Sequence, residues 1–441
     1  MLKYMFNIVF LIFICFNYWM MMFSMIIFFM LFMLSSVNLF MYSNLISWLG
    51  MDILSLSMIF LSTWICLLML LTSLEIYLEN YFFKLYMINF MGLFFFLFMT
   101  FISLDLFFFY IFFESSMLPV LILIVGWGYQ PERMQAGVYL IFYTLFASLP
   151  LMMAIFYIYN NSFSMFMLIN SSFHSFILYL FLIFSFLIKM PMYMVHLWLP
   201  KAHVEGPITG SMILAGVMLK LGGYGLMRIM KFSISMSLKF NIIWISISLV
   251  GGLYVSLLCL HLMDLKLLIA YSSVVHMALV IGGIMTLNYL GFLGSLCLMV
   301  GHGLCSSGLF YLINLIYERV GSRSMMIIKG MINLLPSLTL WWFLMLSSNM
   351  AAPPSLNLLG EISLFLSILM WSKLSMILIM LISFFSACYS IYVFSFSQHG
   401  MILKSLFFIK FINSRENLVL ILHWLPLNLL ILKIDYFYNW I

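Results

Sequence analysis

Between Asp52 and Glu75 no side chain carries a formal charge, and the same holds from Lys84 to Asp105 and from Arg133 to Lys189. Uncharged apolar runs of that length constrain a chain more than any motif does. A helix crossing the hydrocarbon core of a bilayer needs about 20 predominantly apolar residues. Fourteen such stretches follow one another, near 3–19, 21–40, 53–74, 84–103, 105–126, 134–158, 174–196, 207–229, 240–260, 265–286, 290–316, 331–369 (one interrupted span), 374–397 and 411–431. Only Asn17-Tyr18-Trp19 divides the first two. At 66% hydrophobic and 7% charged, the chain lies outside the range of water-soluble domains, which are typically about a quarter charged. The fold class that follows is an all-α polytopic membrane protein of about fourteen transmembrane helices.

What lies between the spans excludes several kinds of chemistry. The longest polar pieces, 317–329 and 397–410, are too short for a soluble domain. No G-x-G-x-x-G or P-loop pattern occurs, so no dinucleotide or ATP site is expected. Cys15, Cys66, Cys259, Cys297, Cys305 and Cys388 are scattered through apolar segments without C-x-x-C spacing. They read as buried structural thiols rather than zinc or iron–sulfur ligands. The start, Met1-Leu2-Lys3-Tyr4-Met5, runs straight into apolar sequence, which suggests an uncleaved first helix made inside an organelle. Forty-two Met against ten Ala points the same way, toward an AT-rich genome and a mitochondrial code.

With an even number of spans both termini share a face. The other face then carries Lys84, Arg133, Lys201, Lys266, Arg319, Arg323, Lys329, Lys404, Lys410 and Arg415. The terminal face carries Lys3, Arg228, Lys231, Lys239, Lys373 and Lys433. The excess places the first set on the matrix or cytoplasmic side.

The informative charges are those that interrupt a span. Lys189 stands in Leu187-Ile188-Lys189-Met190-Pro191. Insertion scales put a charge at the bilayer centre at about 2.5–3.5 kcal/mol. Pro191 lacks an N–H and its ring clashes with the Leu187 carbonyl, so the helix should kink or break beside the ammonium. His196 follows seven residues later, two turns on if the helix continued. Glu114 lies in the fifth span ahead of Pro119, where a carboxylate snorkelling to an interface, or held neutral in a helix–helix hydrogen bond, is the competing reading. Lys220 precedes Gly222-Gly223, which permits close helix approach. His276 and His302 fall mid-span, where a histidine satisfied by a neighbouring hydroxyl competes with a relay. Glu361 follows Pro353-Pro354 and Gly360, so it too is an ionisable group beside a helix interruption. Two broken helices in corresponding positions are the sequence pointer to an inverted-repeat transporter. His174, His203, His261, His399 and His423, with Asp52, Asp105 and Asp264, fall near span ends and are expected to be unremarkable loop or cap residues.

Buried lysine, carboxylate and histidine together allow proton movement. At an effective dielectric near 20, charges ~6 Å apart interact by roughly 2.8 kcal/mol, about 2 pKa units. Moving one charge through 100 mV costs about 2.3 kcal/mol. A lysine whose carboxylate partner comes and goes can therefore take up a proton on one side and release it on the other. Lys189 with Glu114 is the candidate pair, Lys220 and the histidines the relay, and Glu361 the exit; histidine titrates near neutrality.

The run from Lys189-Met190-Pro191 through His196-Leu197-Trp198-Leu199-Pro200-Lys201-Ala202-His203-Val204-Glu205-Gly206-Pro207 resembles a family signature. It is that of the antiporter-like membrane subunits of respiratory complex I and of Mrp-type cation/proton antiporters. Gly210-Ser211 and Leu219-Lys220 to Arg228 continue it, and the likeness covers essentially the whole chain. The resemblance implies one transmembrane domain over 1–441. It would hold N-terminal helices (1–83), two inverted five-helix repeats (84–230 and 240–397) with discontinuous helices near Pro191 and Pro353/Pro354, and a C-terminal helix (411–441). It implies proton translocation coupled to NADH-to-ubiquinone electron transfer elsewhere in the complex. NADH, FMN, iron–sulfur clusters and ubiquinone would sit on other subunits, with no cofactor or metal here.

Residue by residue, Glu114 matches the family glutamate, Lys189 the broken-helix lysine and Lys220 the connecting lysine. His276 and His302 match the central-axis positions, and Glu361 the acidic residue that sets one branch apart from sisters with lysine. Gly206, where alanine is common, is one departure. The short tail after the last span argues against the branch with a long lateral helix. The resemblance further implies other membrane-arm subunits, lipid, protons and internal water as partners, no nucleic acid, and a mitochondrial inner-membrane location with both termini facing the intermembrane space. A stand-alone Mrp-type antiporter is the alternative, and a structural scaffold with vestigial charges the third reading.

Overall fold

Without water in the hydrocarbon core, each backbone N–H and C=O must find its partner within the protein, which restricts spanning segments to helices or closed barrels. The computed structural model describes residues 2–35, 43–46, 48–167, 175–402, 410–438 and 440, and these are overwhelmingly helical. His174 and Lys404 lie outside the described residues. Among the described residues, 11 helices are long and apolar enough to cross a membrane. Lys3–Ile14, Phe176–Lys189 and Leu356–Trp371 add three shorter apolar helices, which accounts for the fourteen expected spans. The chain divides into two compact units, one of Met1–Lys189, Glu205–Lys239 and Asp435–Ile441, the other of Met190–Val204 and Phe240–Ile434.

The first unit begins with α1 (Leu2–Ile14) and α2 (Tyr18–Ser35), then a hairpin of β1 (Ser43–Ile46) and β2 (Leu49–Met51), paired antiparallel. It continues with α3 (Ile53–Thr72), α4 (Leu74–Leu78), α5 (Phe83–Ile102), α6 (Leu106–Ser115), α7 (Met117–Trp127), α8 (Arg133–Ser162) and α9 (Phe176–Lys189). α10 (Trp198–Glu205) crosses from the second unit back to the first. There α11 (Ile208–Ile213), a π-helical segment (Leu214–Met218) and α12 (Leu219–Ile229) run on without a break. The fifth expected span is thus two helices meeting at Ser116. Pro119 explains the junction, because its ring clashes with the carbonyl of Ser115. α9 stops at Lys189, as Pro191 predicts.

α13 (Ile234–Cys259) leads into the second unit, followed by α14 (Leu265–Met285), α15 (Tyr289–Val320), α16 (Met331–Leu334), α17 (Pro336–Asn349), α18 (Leu356–Trp371), α19 (Ser375–Gln398) and α20 (Ser414–Leu429). A 3-10 turn (Leu430–Lys433) and α21 (Asp435–Tyr438) close the described chain. The interrupted span expected at 331–369 is α17 and α18, separated at Pro353-Pro354. α15 and α18 pack closely because Gly360 has no side chain: a Cβ there would stand 2.8 Å from the Leu298 nitrogen.

One connection recurs in each unit. Leu106 N–H donates to the Met165 carbonyl and Met167 N–H to that of Leu104, both at 2.9 Å. Leu265 N–H donates to the Arg323 carbonyl at 3.1 Å and Met325 N–H to that of Met263 at 2.9 Å. Asp105 and Asp264 sit at the bridges, each at a helix N-cap position. The outer faces stay apolar, as at Phe142 and Phe146 of α8, both 70% exposed, a surface that suits lipid.

Two charges assigned to the membrane faces from the sequence, Arg228 and Lys266, are buried by neighbouring helices. Asp52 caps α3 by accepting from Ser55 N–H at 3.0 Å, while Ser55 Oγ accepts from Asp52 N–H. Arg228 donates to Asp52 from Nη1 and Nη2, both at 2.6 Å. Burial alone would raise the Asp52 carboxyl, but the Arg228 charge and the hydrogen bonds from Arg228 and Ser55 hold it below the usual carboxylate range. A depressed folded pKa contributes stability that is present above the unfolded value and lost as pH falls through the folded one. Asp52→Asn should strand Arg228 and destabilise the protein by about 3–5 kcal/mol. Thermal melting in detergent should show this loss at neutral pH, and the variant should lack part of the wild type's loss of stability below about pH 4.

Candidate functional site

The first group of ionisable side chains forms where the two proline-broken segments of the first unit meet. Lys189, the last residue of α9, is 2% exposed. Its ammonium donates to the Phe113 carbonyl at 2.8 Å and lies 2.9 Å from the Phe113 ring centroid. Glu114 is the next residue, near the end of α6, with Lys189, Ser148 and Tyr110 as electrostatic neighbours. No ion pair within 4.0 Å joins Glu114 to Lys189, and Glu114 Oε1 has no hydrogen-bond partner. The lysine is thus solvated by a backbone dipole and an aromatic face, with the carboxylate one residue away. The snorkelling alternative for Glu114 does not describe this environment.

Lys220 is fully buried at the second position of α12. Its ammonium donates to the carbonyl of Ala215, inside the π-helical segment. There Leu219 N–H bonds to Leu214 five residues back instead of four, which widens the helix. Such bulges recur at functional sites. Nothing in the residue pattern marks a π-segment, so sequence reasoning missed it.

The second unit holds the other group. His276 of α14 directs Nδ1 to Glu361 Oε1 of α18 at 3.3 Å. His302 of α15 lies beside it, ring centroids 5.4 Å apart. His276 Nε2 has no hydrogen-bond partner. Glu361, expected as a separate exit, is therefore in direct contact with His276, a histidine expected in the relay. The hydroxyl-satisfied alternative for His276 gives way to a carboxylate partner.

His196 lies in the irregular stretch after α9, so the two-turn alignment with Lys189 does not apply. Its ring stacks on Tyr193 with centroids 5.5 Å apart and meets Tyr271 edge-on at 6.1 Å. His203 was expected in a loop. It is instead on α10, fully buried, its ring stacked on Phe310 at 4.5 Å. The carbonyl of Val204, at the C-terminal end of α10, accepts from Lys266 Nζ at 3.2 Å and Arg323 Nη1 at 2.9 Å. Carbonyls of a last helical turn lack intrahelical partners and carry the negative end of the dipole, which explains why two cations gather there. His423, also expected to be unremarkable, is fully buried on α20, whereas His261 and His399 are exposed. Among the described residues no group of three or more His, Cys, Asp or Glu side chains is placed to hold a metal ion.

Broken helices carrying buried lysine, glutamate and histidine in a multi-pass bundle define an antiporter-like membrane protein as the class. Residues 103–389 match the family model described as NADH:quinone oxidoreductase/Mrp antiporter, and residues 1–100 that of the NADH-ubiquinone oxidoreductase chain 4 amino terminus. NADH-ubiquinone oxidoreductase chain 4 of Ceratitis capitata is 56% identical over 90% of both chains, and that of Aedes aegypti 54% over 100% of both. A chain of respiratory complex I from Thermus thermophilus with bound NADH shares the fold, with a TM-score of 0.86 at 20% identity, covering 99% of this chain and 97% of that one. A chain of the Mrp complex from a Dietzia species follows at 0.73 and 17%, covering 80% and 68%. The chain belongs to the NADH-ubiquinone oxidoreductase chain 4 family.

Glu361→Ala should leave His276 Nδ1 unpaired in the core and lower stability by about 1–3 kcal/mol. Glu361→Gln, which can still accept a hydrogen bond, should recover most of that loss in thermal melts of the detergent-extracted protein.

Proposed function

We propose that this chain is a proton-translocating membrane subunit of respiratory complex I, coupling NADH-to-ubiquinone electron transfer on other subunits to proton movement across the bilayer. The observation that carries the reading is Lys189, buried against the Phe113 carbonyl beside Glu114, in a chain whose full length matches its chain 4 relative. A protein that only scaffolds a complex gains nothing from an ammonium in that position.

Glu114 and Lys189 form the gated pair. When the carboxylate is charged it favours the ammonium; when it is neutral or withdrawn, the lysine releases its proton. Lys220 continues the route, its ammonium tethered to a carbonyl that a small helix adjustment can free. His196 serves as a proton-accepting group after the break. His276 and His302 pass the proton on, and Glu361 accepts it from His276. Electrons do not enter this chain: NADH, FMN, iron–sulfur clusters and ubiquinone act on neighbouring membrane-arm and peripheral subunits. The membrane is the mitochondrial inner membrane, with both termini on the intermembrane-space side, and lipid covers the apolar outer faces.

The recurring connection, which ties Asp105 to the stretch after the long α8 and Asp264 to the stretch after the long α15, supports repeats over 84–230 and 240–397. The stand-alone Mrp-type alternative is the weaker one, since the match to the Dietzia chain covers 68% of that chain.

Lys189→Ala or Glu114→Ala should cut proton translocation through this subunit by about 10²-fold or more, while the complex still assembles and oxidises NADH. Proton uptake by sealed vesicles, measured against NADH oxidation, checks this. Full proton yield in both variants would overturn the relay, and an active carrier purified as a lone chain would overturn the subunit reading.

A further inference from the structure

The seat of the Lys189 ammonium is made by a residue that carries no charge and draws no notice in the sequence. Phe113 presents its carbonyl at 2.8 Å and its ring face at 2.9 Å from the centroid. A cation over an aromatic face is attracted by the ring quadrupole, most strongly where water is excluded. Phe113 is fully buried and so is almost all of Lys189, so both contacts act with little screening.

Successive residues of a helix project about 100° apart. Phe113 and Glu114 therefore direct their side chains to different faces of α6, and an ammonium seated on the ring is turned away from the carboxylate. The contacts agree: no ion pair within 4.0 Å joins Lys189 to Glu114, and Glu114 Oε1 is buried with no hydrogen-bond partner. A buried ammonium and carboxylate attract strongly. The ring seat works against that pull.

Nor is the ring free to turn aside. It packs against Phe109, one turn back on α6, at 5.5 Å, and against Phe186 of α9 at 5.3 Å. Phe186 fills a notch in α12 that exists because Gly225 has no side chain; a Cβ there would overlap the Phe186 ring. Phe109 meets Tyr224 of α12 at 5.9 Å. Tyr224 is held twice: its hydroxyl donates to the Phe101 carbonyl at 3.1 Å, and the Arg228 guanidinium lies over its ring at 4.9 Å. Through Arg228 this brace ends on Asp52. Phe109, Phe113, Phe186 and Tyr224 are all buried.

We propose that Phe113 is a positioning residue whose ring holds the Lys189 ammonium off Glu114, so that the pair rests open. The proposal rests on the proton-translocation reading and names what sets the resting state of its lysine–glutamate pair. Direct contact with a carboxylate in such a site outweighs one ring face. Without the ring, the ammonium closes on Glu114 and keeps its proton. Phe109, Phe186 and Tyr224 act one step back, by fixing the ring.

The test uses the assembled complex in sealed vesicles, and its measure is the share of the proton yield that Lys189→Ala removes. Phe113→Leu, apolar but without a π-face, should lower that share about tenfold while NADH oxidation persists. Phe113→Tyr keeps the face and should retain most of the share. Phe98→Leu removes an equally buried ring from the separate cluster with Phe28, Phe32 and Phe94, and should leave the share whole. Phe186→Leu takes away the ring's backing and should lower the share roughly threefold; it carries the test if the Phe113→Leu complex does not assemble. A whole share in Phe113→Leu or in Phe186→Leu would overturn the positioning role and leave translocation standing. Equal losses in Phe113→Leu and Phe113→Tyr, or in Phe113→Leu and Phe98→Leu, would do the same, since packing alone would then explain them. If Lys189→Ala removes no protons, the translocation reading falls, and the role of Phe113 with it.

Discussion

A cation inside a bilayer must carry its solvation with it, and this protein supplies that solvation from backbone carbonyls at irregular points in its helices. Phe113, just before the α6–α7 junction, accepts from Lys189. Ala215, in the π-segment, accepts from Lys220. Val204, at the end of α10, accepts from Lys266 and Arg323. A regular helix would tie up these oxygens in its own hydrogen bonds. Non-helical backbone at membrane depth is tolerated only where the protein re-satisfies the freed groups, and here the ionisable side chains do so. Irregularity and charge therefore require each other, and removing either leaves the other exposed to hydrocarbon.

The two units solve the same problem with different carboxylate geometry. In the first, Glu114 sits one residue from the lysine's acceptor without closing an ion pair. In the second, Glu361 is in direct contact with His276, and His302 stands behind it. A loosely held lysine–carboxylate pair can change partners with a small displacement. A contacting histidine–carboxylate pair needs only one hydrogen bond to exchange a proton. Asp52 and Arg228 mark the contrast: bidentate, capped and tight, that pair holds α3 and α12 together and suits a structural role.

Much of the candidate site was legible because burial of charge costs so much that a charged residue inside an apolar run advertises itself. Lys189, Glu114, Lys220, His276, His302 and Glu361 were found that way, and all are buried or nearly so. Residues near span ends carried no such signal. His203 and His423 looked like interfacial residues, yet helix α10 and helix α20 bury both completely. Lys266 and Arg228 were assigned to the surface for the same reason, since only packing reveals whether a helix end is roofed by other helices.

The amino-acid sequence alone determined the membrane class, the number of spanning elements, and the breaks at Pro191 and Pro353/Pro354. These follow from local physics: hydropathy over about 20 residues and a proline ring that excludes the carbonyl four residues back. Only the tertiary structure decided which acceptor each buried charge meets. The contact of Glu361 with His276, the Val204 carbonyl shared by Lys266 and Arg323, and the π-segment under Lys220 depend on helix rotation and depth. Those are fixed by packing among residues far apart in the chain, and no local window of sequence contains them.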